Sequence, residues 1–398
     1  MNESPISYLN SNDGNSILAF GDGPKIKIHK ENSIENIQKF IDKQKNKYIF
    51  FCLSYDLKND IEPSLKSQNC NSIIFPRAIL WVPETVVKIN SNNINFIQGI
   101  KTKESNSFVE KFLKKETNKN YSNFKFKFHH RTSKESYIEN VIQLQEHIQQ
   151  GDIFEVNYCQ EFFLENIEIE DPLNTYFKLN DKTEAPYSSY TNIDDFILFC
   201  GSPECFLRKK KNHIISSPIK GTRKRGKSKQ EDDALKTELL NDPKEQSENI
   251  MIVDLVRNDL SRIAIPGSVK VDELFGIYSF KTVHQMISTI SCQVPESIKF
   301  KDILRATFPM GSMTGAPKHS AMNLIEHYEE FQRGIYSGSI GYINPNGDFD
   351  MNVVIRTLIF NKKEKYLSCP VGSAITINSD PISEYEECLI KIKSILDY

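Results

Sequence analysis

Short apolar runs separated by Asn-, Lys- and Ser-rich connections open the chain, among them Tyr48-Ile49-Phe50-Phe51-Cys52-Leu53 and Ile79-Leu80-Trp81-Val82. Runs of this length between polar turns predict strands. From residue 90 to 133 the chain turns polar and Lys-rich, with Phe124, Phe126 and Phe128 alternating. We place an organisational boundary there, dividing a strand-rich part, 1–125, from the remainder, 126–398. Beyond it Tyr137, Val141, Leu144 and Ile148 recur at helical spacing, with Ser136 as cap and Gly151-Asp152 as stop. Residues 153–158 alternate like a strand, 197–207 and 212–219 predict two more, and 231–240 and 244–263 predict helices. The second helix is apolar nearly all round, through Ile250, Met251, Ile252, Val253, Leu255 and Val256, which predicts burial. Strands over 336–344 and 350–360 turn about Asn344-Pro345-Asn346-Gly347, and a helix over 381–396 closes the chain. Strands and helices mixed without strict βαβ alternation predict an α+β fold.

Composition narrows the class of function. A hydrophobic share of 39% in 398 residues supports a substantial core. Lys+Arg 50 against Asp+Glu 52 leaves a net charge of -2, so no global field draws the chain to nucleic acid or an anionic membrane. No apolar run is long enough to span a bilayer and residues 1–8 lack a secretory pattern, so a cytoplasmic location is expected. The eight cysteines include no C-x-x-C pair, which argues for reduced, mostly buried thiols rather than disulfides or zinc.

One motif points to a different chemistry. Gly221-Thr222-Arg223-Lys224-Arg225-Gly226-Lys227-Ser228 satisfies the phosphate-loop expression of ATPases, and Ile250-Met251-Ile252-Val253-Asp254 resembles its partner strand. A phosphate loop needs free N–H groups and a helix beginning at the Lys-Ser pair. Here three bulky cations fill the loop, Ser228-Lys229-Gln230 delays the helix, and Asp254 has helical context. A solvated basic loop is the plainer reading.

A second constellation is scattered but coherent. Glu204, in Gly201-Ser202-Pro203-Glu204, lies at the foot of one predicted strand and Lys220 ends the next. Antiparallel pairing would bring both to one edge, and partial burial beside Ile219 and Gly221-Thr222 would leave Lys220 a neutral nucleophile. Either residue alone reads as solvated. Glu384, Glu387 and Lys391 fall at i, i+3 and i+7 on the last helix, opposite Tyr385, Cys388, Ile392 and Ile395, which alone describes an ordinary surface helix. Glu248, however, opens the buried helix and needs a partner or a cation, and two or three carboxylates with open positions suit Mg²⁺. Residues 311–318 form a small-residue loop running into a helix, either a carboxylate site or a capped turn. Arg356 alternates onto the face of Asn352 and Val354, the place for a carboxylate clamp or a structural ion pair.

Together these segments resemble the chorismate-utilising enzymes: the large subunits of anthranilate and aminodeoxychorismate synthases, with isochorismate and salicylate synthases as relatives. The likeness runs over about two-thirds of the chain, 137–396, in the family's order: 151–157, Ser202-Pro203-Glu204, Pro218-Ile219-Lys220-Gly221-Thr222, 248–255, 311–318, Gly338-Ser339-Ile340-Gly341-Tyr342, Ile355-Arg356-Thr357 and Glu384-Tyr385-Glu386-Glu387. The resemblance implies one interleaved α+β fold of two packed antiparallel sheets with outer helices, and an Mg²⁺-dependent site between them. Glu248 and Glu387 would ligate Mg²⁺, with Glu384 close by. Arg356, Tyr342 and Lys391 would hold substrate carboxylates; Gly221, Thr222, Thr314 and Gly315 would line the pocket.

Residue 220 separates the subclasses. Its relatives usually carry Ala in Pro-Ile-Ala-Gly-Thr, whereas aminodeoxychorismate synthases carry Lys. The resemblance thus implies amination of chorismate at C4 toward para-aminobenzoate and folate. Glu204 would protonate the C4 hydroxyl while Lys220 attacks C2, and ammonia would then attack C4 as Lys220 leaves C2. Anthranilate synthase and isochorismate or salicylate synthase are the alternatives. Three departures stand out: Gln285 occupies the position of the anthranilate synthases' His, with His284 one place early; Ala374 replaces a glycine; and no Leu-Leu-Glu-Ser tryptophan-site motif is clear, which predicts no feedback by tryptophan. No glutamine-hydrolysing Cys-His-Glu set is recognisable, so a glutamine amidotransferase subunit is expected to deliver ammonia.

Overall fold

The structure is a computed structural model that describes residues 4–65, 67–90, 93–117 and 127–395. Two antiparallel sheets of 11 and 10 strands form its frame. The first runs from Gly315–Ala316 through Glu155–Leu164, Tyr366–Ile375, Thr357–Asn361, Phe196–Ser202 and Tyr187–Ile193 to four N-terminal strands. The second runs from Ile219–Lys224 through Val283–Gln293, His213–Ser217, Cys205–Lys210, Phe349–Asn352 and Ser339–Ile343 to Ile49–Leu53, Ala78–Trp81 and Lys25–Ile28. N-terminal strands therefore complete both sheets. The expected boundary at residue 125 falls outside the described residues.

One apolar cluster joins the two sheets to helices Ser33–Lys43, Pro243–Ser261 and Phe300–Thr307. The other lies between the first sheet and helices Lys134–Gln150, Pro172–Thr183, Lys318–Tyr328 and Pro381–Ile395. The predicted stripe of the last helix is its buried face: Tyr385, Cys388, Ile392 and Ile395 are all inside. All eight cysteines are free, and only Cys70 is exposed.

Two predicted strands prove to be broken, and the breaks organise the molecule. Residues 197–207 divide into Phe196–Ser202 in the first sheet and Cys205–Lys210 in the second, with Pro203-Glu204 as the link. Residues 350–360 divide in the same way, into Phe349–Asn352 and Thr357–Asn361. The links run side by side: Val353 N donates to Glu204 O at 3.1 Å and Gly201 N to Arg356 O at 3.0 Å. Pro203 offers no N–H to a ladder, and Arg356 has φ 52, outside any strand conformation. Burial continues through both links, so their hydrophobic pattern shows no interruption.

Smaller corrections follow from caps and exposure. Ser133, not Ser136, caps helix Lys134–Gln150, accepting from Ser136 N. Helix Pro243–Ser261 is one-sided rather than apolar all round, with Ile250 45% exposed while Glu248, Ile252, Val253 and Val256 are buried.

A buried ion pair ties the site's walls together. Arg333 and Glu329 meet in two hydrogen bonds of 2.9 and 2.6 Å. Arg333 also donates to Met313 O at 2.6 Å and Asn157 O at 2.8 Å, bracing the 311–315 loop against strand Glu155–Leu164. Each group alone would be a costly buried charge. Arg333→Met strands the Glu329 carboxylate and should lower stability by about 3–5 kcal/mol in urea unfolding, with partial recovery when Glu329→Leu is added. An unchanged midpoint would show that the pair holds nothing.

Candidate active site

Lys220 reaches its position through a bulge. Strand Ile219–Lys224 pairs with Val283–Gln293 at Ile219↔Ile287 and again at Thr222↔Gln285, and the register shifts between them. Gly221 takes φ 83 there, and a Cβ on it would come within 3.0 Å of both Glu245 Oε2 and Leu239 Cδ1. The bulge turns Lys220 off the pleat, and the glycine lets the neighbouring helices close over it. Thr222, the next residue, is back in register.

The Lys220 ammonium is ion-paired with Glu155, whose side chain is 1% exposed. Burial works against this charge but is outweighed by Glu155, then Glu248, then Glu204, so the ammonium is held well above its ordinary range. The expectation of a neutral Lys220 is therefore corrected: desolvation is present, and three carboxylates overcome it. Among the described residues Glu155 Oε2 has no hydrogen-bond partner, although it is buried.

Glu204 stands on the crossover link, as close to Lys220 as the sequence predicted, since Cys205 pairs with Ser217 just before Pro218. Burial pushes Glu204 up to about 7 against Ser312 and Lys220. Glu248, in the second turn of a helix capped by Asp242, is likewise pushed by burial up to about 7, with Lys220 and Lys244 opposing. Two carboxyls that both interact with Lys220 are thus pushed toward neutrality, a common signature of acid–base sites.

At the other side of the site Lys244 lies 3.9 Å from Glu248 and 3.5 Å from Glu384. Ser373 also donates to Glu384. Glu387 pairs with Lys391 at 2.7 Å, and Lys391 donates to Gly372 O at 2.6 Å. Burial raises Glu387, but Lys391, Lys244 and Arg356 together hold it below the usual range. Arg356 is lowered by burial, with Tyr336 and Glu387 resisting. Among the described residues no three His, Cys, Asp or Glu side chains converge to enclose an ion. The donor chemistry nonetheless fits Mg²⁺, which takes one or two carboxylates, several waters and anionic substrate oxygens. Lys244, 48% exposed, stands between two of the carboxylates as a removable cation.

The small-residue loop packs tightly on Glu155. Gly315 pairs with Val156, and a Cβ on it would lie 2.1 Å from Glu155 O. Thr314 is fully buried, with Oγ1 at 3.2 Å from Met310 O and Gly311 O. Lys318 is tied to Asp259 and Thr307 O.

Tyr342 is a correction. Its ring packs on Tyr48 and Phe50, and it lines a separate cavity with Asn10, Arg208 and Asp350, away from Lys220. The buried tyrosine beside Arg356 is Tyr336, which the sequence reading did not single out. Glu155 lies within the 151–157 segment, to which the sequence gives no role of its own. Only its place among apolar neighbours in Ile153-Phe154-Glu155-Val156 hinted at burial.

The phosphate-loop expression also resolves. Helix Lys229–Leu240 starts directly after Ser228, earlier than expected. The loop's N–H groups are already taken, Gly226 N by Asp232 and Lys227 N by Glu231, and Arg223 and Arg225 are paired with carboxylates. Asp254 is exposed and pairs with Arg257. Nothing there is left to cradle a phosphate.

Residues 5–397 match the model of the chorismate binding enzyme family. Over 265 residues, 66% of the chain, the sequence is 41% identical to a probable chloroplastic aminodeoxychorismate synthase of Oryza sativa subsp. japonica, and spans 29% of that protein. It is 39% identical over 264 residues, 66% of the chain, to aminodeoxychorismate synthase component 1 of Escherichia coli K12, spanning 57% of it. The chain thus matches under two-thirds of the length of either relative. In fold it resembles anthranilate synthase component I of Streptococcus pneumoniae, with TM-score 0.81 at 24% identity, covering 96% of this chain and 92% of that one.

Glu204 makes stability depend on pH. Its folded value is raised from 4.5 to about 7, so between these limits the folded state keeps a proton that the unfolded chain releases. Stability contributed below pH 4.5 is therefore lost as pH rises toward 7. Glu204→Gln should make this decline shallower by ~1–3 kcal/mol in urea midpoints across that interval. Equal declines in both proteins would count against the assignment.

Proposed function

This chain belongs to the chorismate binding enzyme family, and we propose that within it the protein aminates chorismate at C4, giving 4-amino-4-deoxychorismate on the way to para-aminobenzoate and folate. The observation that carries this reading is Lys220, buried beside Glu204 and Glu155. Relatives named aminodeoxychorismate synthase, at about 40% identity, support it.

Glu204, which burial lets keep its proton up to about pH 7, is the acid that delivers a proton to the departing C4 hydroxyl. The Lys220 amine forms a bond to C2 as the ring double bonds shift and the C4–O bond breaks. Ammonia then bonds to C4, the double bonds return, and the C2–N bond to Lys220 breaks. A lysine occupying C2 leaves C4 as the position open to ammonia. Arg356 and Lys391 supply cations for the substrate's carboxylates, and Thr222, Thr314 and Gly315 set the walls. Glu248 and Glu387, with Glu384 behind them, would hold Mg²⁺ once Lys244 withdraws. Bound there, Mg²⁺ would neutralise a substrate carboxylate. A relative whose name ends in component 1 suggests a second component, and a glutamine amidotransferase would supply the ammonia.

Incubation of the protein with chorismate, ammonium and Mg²⁺ should yield aminodeoxychorismate without pyruvate, read by mass spectrometry. Lys220→Ala should lower this product at least ~100-fold or divert it. Anthranilate and pyruvate from the unaltered protein would replace this reading with the anthranilate one.

A further inference from the structure

Three carboxylates face Lys220 from three elements: Glu155 from strand Glu155–Leu164, Glu204 from the crossover link, and Glu248 from helix Pro243–Ser261. They differ in what else they must do. Glu204 has a proton to give to the departing hydroxyl, and Glu248 faces Lys244 and the cation position. Glu155 alone is hydrogen-bonded to the Lys220 nitrogen, and its second oxygen is buried without a partner. Among the described residues the Glu155 side chain is hydrogen-bonded to Lys220 alone. It is also held rigidly, since Gly315 and Ala316 pair across its backbone and Arg333 fixes Asn157 O two residues on.

We propose that Glu155 is the catalytic proton acceptor of Lys220, taking a proton from the ammonium as the nitrogen bonds to substrate and returning it when the lysine leaves. This rests on the lysine-adduct reading given above. In the forward step one Lys220 N–H bond breaks and Glu155 gains the proton. The Nζ–C2 bond forms, the C4–O bond breaks, and the hydroxyl leaves as water with the proton of Glu204. The adduct nitrogen remains a secondary ammonium, so net charge is conserved. When ammonia has bonded to C4, Lys220 departs as a neutral amine and recovers its proton from Glu155. An internal acceptor removes the need to lose a proton to solvent from an ammonium that its surroundings hold charged.

The test is single-turnover adduct formation with chorismate and Mg²⁺ but no ammonium, quenched and read as intact mass, from about pH 5 to 6.5, below the value of about 7 to which burial pushes Glu204. The unaltered protein should show a rate nearly independent of pH. Glu155→Gln should be ~100-fold slower at pH 6.5, with a rate climbing about tenfold per pH unit, and Glu155→Asp should restore the flat profile. A flat, undiminished profile in Glu155→Gln overturns the role of Glu155 and leaves the adduct reading standing. If the glutamine variant does not fold, the unaltered protein decides: a tenfold rise per unit there means that Lys220 loses its proton to water. Absence of any Lys220-linked mass in the unaltered protein removes the adduct reading, and the proposal with it.

Discussion

The site depends on one electrostatic constraint: an ammonium taken out of water among three carboxylates. Neither sign is tolerable alone at that depth. Lys220 neutralises Glu155 outright and pulls Glu204 and Glu248 down from where burial would leave them, so that both settle near neutrality. The same pairing keeps Lys220 charged. Lys220 and the carboxyls thus set each other's protonation, and each titration belongs in part to the group as a whole.

Backbone devices bring these four groups together. The bulge at Gly221 aims Lys220, and the crossover at Pro203-Glu204 places the Glu204 carboxyl at the seam between the sheets. Gly315, pressed on the Glu155 carbonyl, seats the strand that carries the third group. Arg333 and Glu329 then fasten that strand to the loop. The cationic and acidic side chains of helices Pro243–Ser261 and Pro381–Ile395 complete the rim, where Lys244 fills the space between Glu248 and Glu384.

The sequence made the fold class and much of the site legible, for physical reasons that also mark its limits. Strands such as Ile49–Leu53 and the buried stripe of the last helix follow from periodicity, which burial enforces. Lys220 and Glu204 were legible as a pair because a short hairpin joins the strand that follows Glu204, Cys205–Lys210, to the one that precedes Lys220, His213–Ser217. The two breaks were not, because residues 197–207 and 350–360 stay buried while changing sheets, and alternation records burial rather than partnership. Tyr342 was placed at the site and Tyr336 overlooked because a tyrosine's motif does not say which side of a sheet it serves. The charge of Lys220 was misjudged for a similar reason. Burial is written locally in the flanking Ile219, but Glu155 and Glu248 are 65 and 28 positions away in opposite directions.

The paired crossovers carry a mechanical consequence. Two chain segments pass between the sheets at one place and hydrogen-bond to each other, so the sheets are stitched and cannot part like the halves of a clam. The freedom left lies at the rim, in long side chains such as Lys244 and Glu387 that are half in water. Movement there is a matter of rotamers rather than of domains, and it leaves the interior charges in place.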